Sequence, residues 1–194
     1  MKKIFAAAVV LGHLFATAAF AAPTAQLDGG RTAVKLSDDL VGALGSLGVS
    51  PGSIAPGILR ENAVVQYPVN GGVIDLDTLS GDIFHTGGLS LSAPGTRVAL
   101  LNFVISTTGD SPVLTGVAAV NGETVDRIPL FDLEPTQGPS IDQWGTLDLR
   151  KVNASLTHEA ADTLNSVFGV TAFEEGFPVG TAWVQTNILA AEGD

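Results

Sequence analysis

Val113-Leu114-Thr115-Gly116-Val117-Ala118-Ala119-Val120-Asn121-Gly122-Glu123-Thr124-Val125-Asp126-Arg127-Ile128-Pro129-Leu130-Phe131-Asp132-Leu133 is the stretch on which the fold turns. Apolar and β-branched residues fill both arms, and Asn-Gly sits between them. A tight type I′ turn needs positive φ at two successive positions, which this dipeptide tolerates best. The spacing therefore predicts that 113–120 and 124–133 pair antiparallel. Asn70-Gly71-Gly72 makes the same argument and predicts a second hairpin, 63–69 against 73–76. Outward from these two points the same period-two pattern recurs, with Gly, Pro, Asn or Asp clusters between the runs. Further strands are expected at 31–36, 72–77, 82–85 continuing to 92, 97–105, 146–156 and 180–188. The fold class is mainly β: an antiparallel sandwich or partly closed barrel of about nine strands with two short helices, the two architectures fitting equally well.

Both helices carry their own start and stop signals. Ser37 offers a hydroxyl cap before Asp38-Asp39, Leu40, Val41, Leu44 and Leu47 share a face, and Gly48 ends the run. Thr157 caps His158-Glu159, with Ala161, Leu164, Val167 and Phe168 on one face and Gly169 as the stop. The acidic residues of each first turn suit the helix dipole. The two segments look like copies of one strand-to-helix unit, a likeness that any two capped amphipathic helices share without a duplication.

The first residues read differently. Lys2-Lys3, an apolar run from Ile4 to Phe20, and Ala19-Phe20-Ala21 before Ala22-Pro23 form the charged, hydrophobic and cleavage regions of an export signal. Residues 1–21 are thus expected to be a removed signal peptide and 22–194 a single β-rich domain, secreted or periplasmic. No later stretch is long and apolar enough to span a bilayer, so no membrane span is expected in the mature chain. Nine basic residues stand against 20 acidic ones, a formal charge of −11, and two of the nine lie in the leader. Such a surface repels phosphate backbones, which excludes nucleic acid as a partner. The absence of Cys excludes disulfides, thiolate catalysis and Cys-ligated zinc.

Catalytic machinery is hard to assemble. Gly48-Val49-Ser50-Pro51-Gly52 fits the G-x-S-x-G formula of a hydrolase nucleophile elbow. That elbow needs a strand before the Ser, a helix after it and an N–H on the next residue; here a helix precedes, and Pro51 has no N–H. Only His85 and His158 follow the leader. His158 sits in a helix first turn as an exposed neighbour of the cap. His85 shares parity with Ile83, Leu89 and Leu91, so an unbroken strand would aim it at an apolar face, where it needs a partner; Gly87-Gly88 is a candidate bulge that would reset the facing. Asp75, Asp77 and Asp82 cluster at one turn, yet without a calcium-loop pattern they read as a solvated face. Phe103, Phe131, Phe168, Phe173 and Trp183 are expected in the core, and Trp144 in an exposed loop. The expectation is therefore of no enzyme and no catalytic residue.

The order of Gln66-Tyr67-Pro68-Val69-Asn70-Gly71-Gly72-Val73-Ile74-Asp75-Leu76, Gly81-Asp82-Ile83-Phe84-His85-Thr86-Gly87-Gly88-Leu89-Ser90-Leu91 and Val98-Ala99-Leu100-Leu101-Asn102-Phe103 resembles the Htaa domain, the haem-transport-associated domain of bacterial exported proteins. Arg127-Ile128-Pro129-Leu130-Phe131-Asp132-Leu133 and Phe177-Pro178-Val179-Gly180-Thr181 continue the likeness. The resemblance implies a β-rich domain that binds haem at or near the cell surface. Haem-binding members resemble one another in an N-terminal segment with Trp, Ser-Phe-Arg and a Tyr ligand; residues 33–48 here contain neither Tyr nor Trp. Tyr67 would then supply the phenolate, with His85 as second ligand or hydrogen-bond partner, and Arg60 or Arg97 would face the propionates. Two functions stay open. One is an exported non-catalytic β domain at the cell envelope, Htaa-like, with a binding or structural role, no cofactor and an envelope protein as partner. The other is a haem-binding domain in iron acquisition that uses Tyr67 and His85.

Overall fold

A computed structural model describes residues 24–189; the leader expected over 1–21 lies outside them. In chain order the elements are β1 (Thr24–Leu36), α1 (Asp38–Ser46), β2 (Ser50–Ile54), β3 (Ile58–Arg60), β4 (Val64–Asp75), β5 (Gly81–His85) and β6 (Gly88–Ala93). Then follow β7 (Thr96–Ser106), β8 (Val113–Val120), β9 (Glu123–Pro135), β10 (Ser140–Ile141), β11 (Thr146–Leu156), α2 (His158–Phe168) and β12 (Pro178–Leu189). Asn121 and Gly122 take φ of 52° and 90°, and Val120 pairs with Glu123 across them, so the β8–β9 hairpin closes in two residues as its sequence requires.

The second expected hairpin does not form. Residues 64–75 are one continuous strand, with Gly71 and Gly72 at φ of 145° and 155° inside it. β1 pairs along one side of β4 and β5 along the other, and the β4–β5 register slips between Val69 and Gly71. The Gly pair therefore serves a bulge. A Cβ on Gly72 would lie 2.4 Å from the Asp82 carbonyl oxygen, so the close approach of β5 requires glycine there. A local turn preference yields because both arms find longer-range partners. The chain reverses instead after Asp75, whose N–H donates to the Ser80 carbonyl at 2.8 Å.

The sheet runs β2-β6-β7-β5-β4-β1-β12-β11-β9-β8, and β8 pairs back onto β7. Eight strands, β7-β5-β4-β1-β12-β11-β9-β8, thus close into an antiparallel barrel. Closure leaves these strands no free edge. Of the two architectures expected, the barrel is the one built, and it is closed rather than partly closed. Among the described residues there are twelve strands where about nine were expected. β2, β3 and β10 are short additions, 63–77 merges, and 82–92 divides into β5 and β6, which follow one another along the same side of β7.

Both helices begin at the same end of the barrel, because Leu36 and Ala154 both pair with Gly180. Their caps are built alike. The Ser37 hydroxyl accepts from the Leu40 N–H at 3.0 Å and donates to the Pro178 carbonyl at 2.7 Å. That of Thr157 accepts from Ala160 at 3.1 Å and donates to the Pro129 carbonyl at 2.8 Å. Each cap thus starts a helix and ties it to a neighbouring strand. Leu40 and Leu44 of α1 and Ala160, Ala161 and Leu164 of α2 are buried in the core that fills the barrel. That core includes Phe103 and Phe173 as expected, with Phe131 and Phe168 packed against it. Trp183 is a correction: Ala182 and Val184 take the buried positions of β12, so period-two alternation turns the indole to the outer face, half-buried.

Candidate functional site

His85 and Tyr67 do meet. Both are buried and line a small cavity of about 30 Å³ with Thr32, Leu89, Phe103 and Leu114, room for about one water. The break between β5 and β6 at Gly87 does not reset the facing: His85 and Leu89 line the same cavity, and Ile83 and Leu91 belong to the core. His85 Nδ1 lies 3.3 Å from the Phe103 carbonyl oxygen, which only accepts, so Nδ1 carries the proton. Nε2 is then the acceptor for the Thr32 hydroxyl at 2.7 Å. Burial pushes the His85 pKa down to about 4, against the opposing pull of the Phe103 and Ile83 backbone, so the ring is neutral at pH 7. Burial likewise raises the Tyr67 pKa, keeping the phenol protonated, and the Tyr67 ring meets Phe103 edge-on with centroids 4.8 Å apart.

A larger space opens at the barrel end away from the helices. This chamber has a volume of about 670 Å³, and its wall includes Ile74, Ile83, Ile105, Leu114, Phe131, Leu133, Leu147, Leu149, Val152, Ala154, Ala182 and Val184. Three connections border it: Thr78 and Leu79 between β4 and β5, Thr107 to Pro112 between β7 and β8, and Thr136 to Pro139 after β9. Thr32 and Val34 belong to both spaces, so the Thr32–His85 hydrogen bond stands between the chamber and the small cavity. Among the described residues Asp110 is the one ionisable group lining the chamber. Sequence reasoning missed Thr32, although its parity with Val34 and Leu36 is a readable signal. It also missed the bordering loops, whose residues carry no periodic pattern.

The remaining expected residues lie elsewhere. Arg60 donates to Gln66 Oε1 at 3.1 Å, and Arg97 holds the Asn121 turn through its backbone, so neither reaches Tyr67 or His85. Asp75 accepts from the N–H groups of Thr78 and Asp77 at 2.8 and 2.9 Å, and the Thr78 N–H leads in lowering its pKa. Among the described residues no three His, Asp or Glu side chains gather as a metal site. His158 is exposed, 3.3 Å from Asp162 and 3.8 Å from Glu175, and Trp144 is 81% exposed. Ser50 opens β2 directly after α1, the reverse of a nucleophile elbow. The cations are the surprise: Arg31, Lys35, Arg150 and Lys151 surround Trp183 in a groove on the outer face of β1, β12 and β11. Asp148 takes up one of them, contacting Arg150 at 2.7 Å.

This geometry has solved counterparts. The N-terminal domain of HtaA from Corynebacterium glutamicum matches with a TM-score of 0.64 over 84% of this chain and 99% of its own, at 13% identity. The fold is that of the HtaA domains. The C-terminal domain of the same protein matches at a TM-score of 0.63 and 12% identity, over 85% of this chain and 99% of that one. The haem-binding protein HtaB of C. glutamicum matches the HtaA-like barrel at 0.53 and 9% identity, over 87% of this chain and 96% of its own. No protein-family model matches the sequence, and no curated protein does. Likeness at this level of identity is likeness of fold, and the expected Htaa-like architecture is what the chain adopts.

Proposed function

We propose that this chain is an exported, non-catalytic HtaA-like domain of the cell envelope that holds a small molecule without transforming it. The chamber carries that reading. Its volume is within the size range of natural small-molecule sites, roughly 300–1,000 Å³, and its wall is mainly apolar, with Thr32 and the bordering loops supplying the polar groups. Among the described residues base, nucleophile and oxyanion donors do not converge on it: His85 is buried with its Nε2 taken by Thr32, and no His lines the chamber beside Asp110. Export follows from the leader signature of residues 1–21. The intact mass of the protein recovered from periplasm or medium tests it, with a chain beginning at Ala22 as the expected result and an uncleaved cytoplasmic chain as the contrary one.

A second reading, haem held by Tyr67 and His85, is favoured by the likeness to HtaB, which binds haem. In this chain it requires iron to reach a cavity of about 30 Å³ and to take the His85 Nε2 lone pair from Thr32. The freed Thr32 hydroxyl would then be buried without a partner, at a cost of about 1–3 kcal/mol. Titration with micromolar hemin, followed in the Soret region, separates the readings. The same spectrum is expected for the wild type, His85→Ala and Tyr67→Phe. A Soret shift in the wild type that both substitutions abolish establishes the haem reading.

A further inference from the structure

We infer that the chamber takes a neutral amphiphile: a molecule with a long or bulky apolar body and a head group that hydrogen-bonds but carries no charge. This rests on reading the chamber as a binding site and specifies what enters it. At the deep end the polar side chain is Thr32, and its hydroxyl proton is already committed to His85 Nε2 at 2.7 Å. The inner part of a ligand therefore finds no free donor in Thr32 and packs mainly on hydrocarbon, in residues such as Ile83, Leu114, Leu147 and Val184. Burial of apolar surface there is favourable at about 25 cal/mol per Å².

A cation is what the chamber lacks. Among the described residues neither Lys, Arg nor His lines it, and the ionisable residue there, Asp110, is an acid. A fatty-acid carboxylate or a porphyrin propionate at the border would meet the like charge of Asp110 and no cation, and one carried deeper would lose its water without gaining a counter-ion, so either position disfavours an anion. The protein does own a cationic cluster, but it lies on the outside of the barrel, around Trp183. An anion is thus directed to the outer groove and a neutral molecule to the chamber. At the border, the Gln137 amide is an uncharged donor and acceptor suited to a hydroxyl or carbonyl head.

Fluorescence titration of the purified protein at pH 7.5 tests this with two probes of similar bulk, neutral N-phenyl-1-naphthylamine and anionic cis-parinarate. The neutral probe is expected to saturate at one site and to bind at least tenfold more tightly than the anion. Ala182→Phe, which projects a ring into the chamber, is expected to weaken the neutral probe at least tenfold with an unchanged far-ultraviolet spectrum. Asp110→Lys, at the border where folding is little affected, is expected to shift preference toward the anion and serves if the Phe variant does not fold. Equal or tighter binding of parinarate to the wild type, blocked by Ala182→Phe, overturns the neutral class while the binding reading stands. Binding of neither probe, or binding that both substitutions leave untouched, overturns the chamber as a site and the binding reading with it.

Discussion

His85 is a titratable group held in its neutral form, and that has a consequence for acid stability. Its pKa is about 4 in the folded protein, against an ordinary value of 6.5. In the window between the two the unfolded chain binds a proton that the folded chain refuses. Stability is therefore full above about pH 6.5 and falls as the pH drops through the window, with this one residue removing about 3 kcal/mol by pH 4. Denaturant midpoints of the wild type and His85→Gln between pH 7 and 4 check this. The wild type should lose stability more steeply, and parallel slopes would mean that the imidazole titrates normally. The sequence placed His85 on an apolar face by its parity with Ile83, Leu89 and Leu91. It did not name Thr32 and the Phe103 carbonyl as partners, because those come from strands far away along the chain.

The elements most legible in the sequence are those whose signals are local. Ser37 and Thr157 were readable as caps because a hydroxyl before an acidic first turn meets backbone N–H groups two or three residues on. Their second role was not readable: each also donates to the carbonyl of a proline brought alongside only by the barrel. Thr157→Ala removes both bonds in a buried setting and should cost about 2 kcal/mol, at the upper end for a cap, whereas Thr157→Ser should restore most of it. Thermal or urea unfolding of the pair gives the difference, and a loss under about 0.5 kcal/mol for the alanine variant would show the strand tie to be inert. Asn121-Gly122 and Asn70-Gly71-Gly72 set the lesson side by side. The first is a turn because the strands flanking it pair with each other; the second is a bulge because β1 and β5 claim the two sides of β4.

At the scale of the whole molecule, β12 links β1 to β11, and β8 joins β7 to complete the ring. A closed ring cannot lose one strand without opening two seams, so unfolding should be a single cooperative transition. Tryptophan fluorescence, reporting from Trp144 and Trp183, and far-ultraviolet dichroism, reporting the whole sheet, are expected to give the same midpoint in urea. Separate midpoints would mean that the β11–β12 region opens independently. Closure also makes the chamber. Half of each strand's residues point inward, and among the described residues no element fills the space between them at the end without helices.

The sequence by itself determined the strand-rich class, both capped helices, the β8–β9 hairpin and the acidic composition. These follow from period, composition and contacts a few residues apart, which chain neighbours decide. Only the tertiary structure decided that the sheet closes, that Tyr67 and His85 line one small cavity, that the cations collect around Trp183 outside, and that a mainly apolar chamber remains within. Each of these depends on which distant strand lies beside which, a choice made by the fit of all eight barrel strands together and written in no single segment.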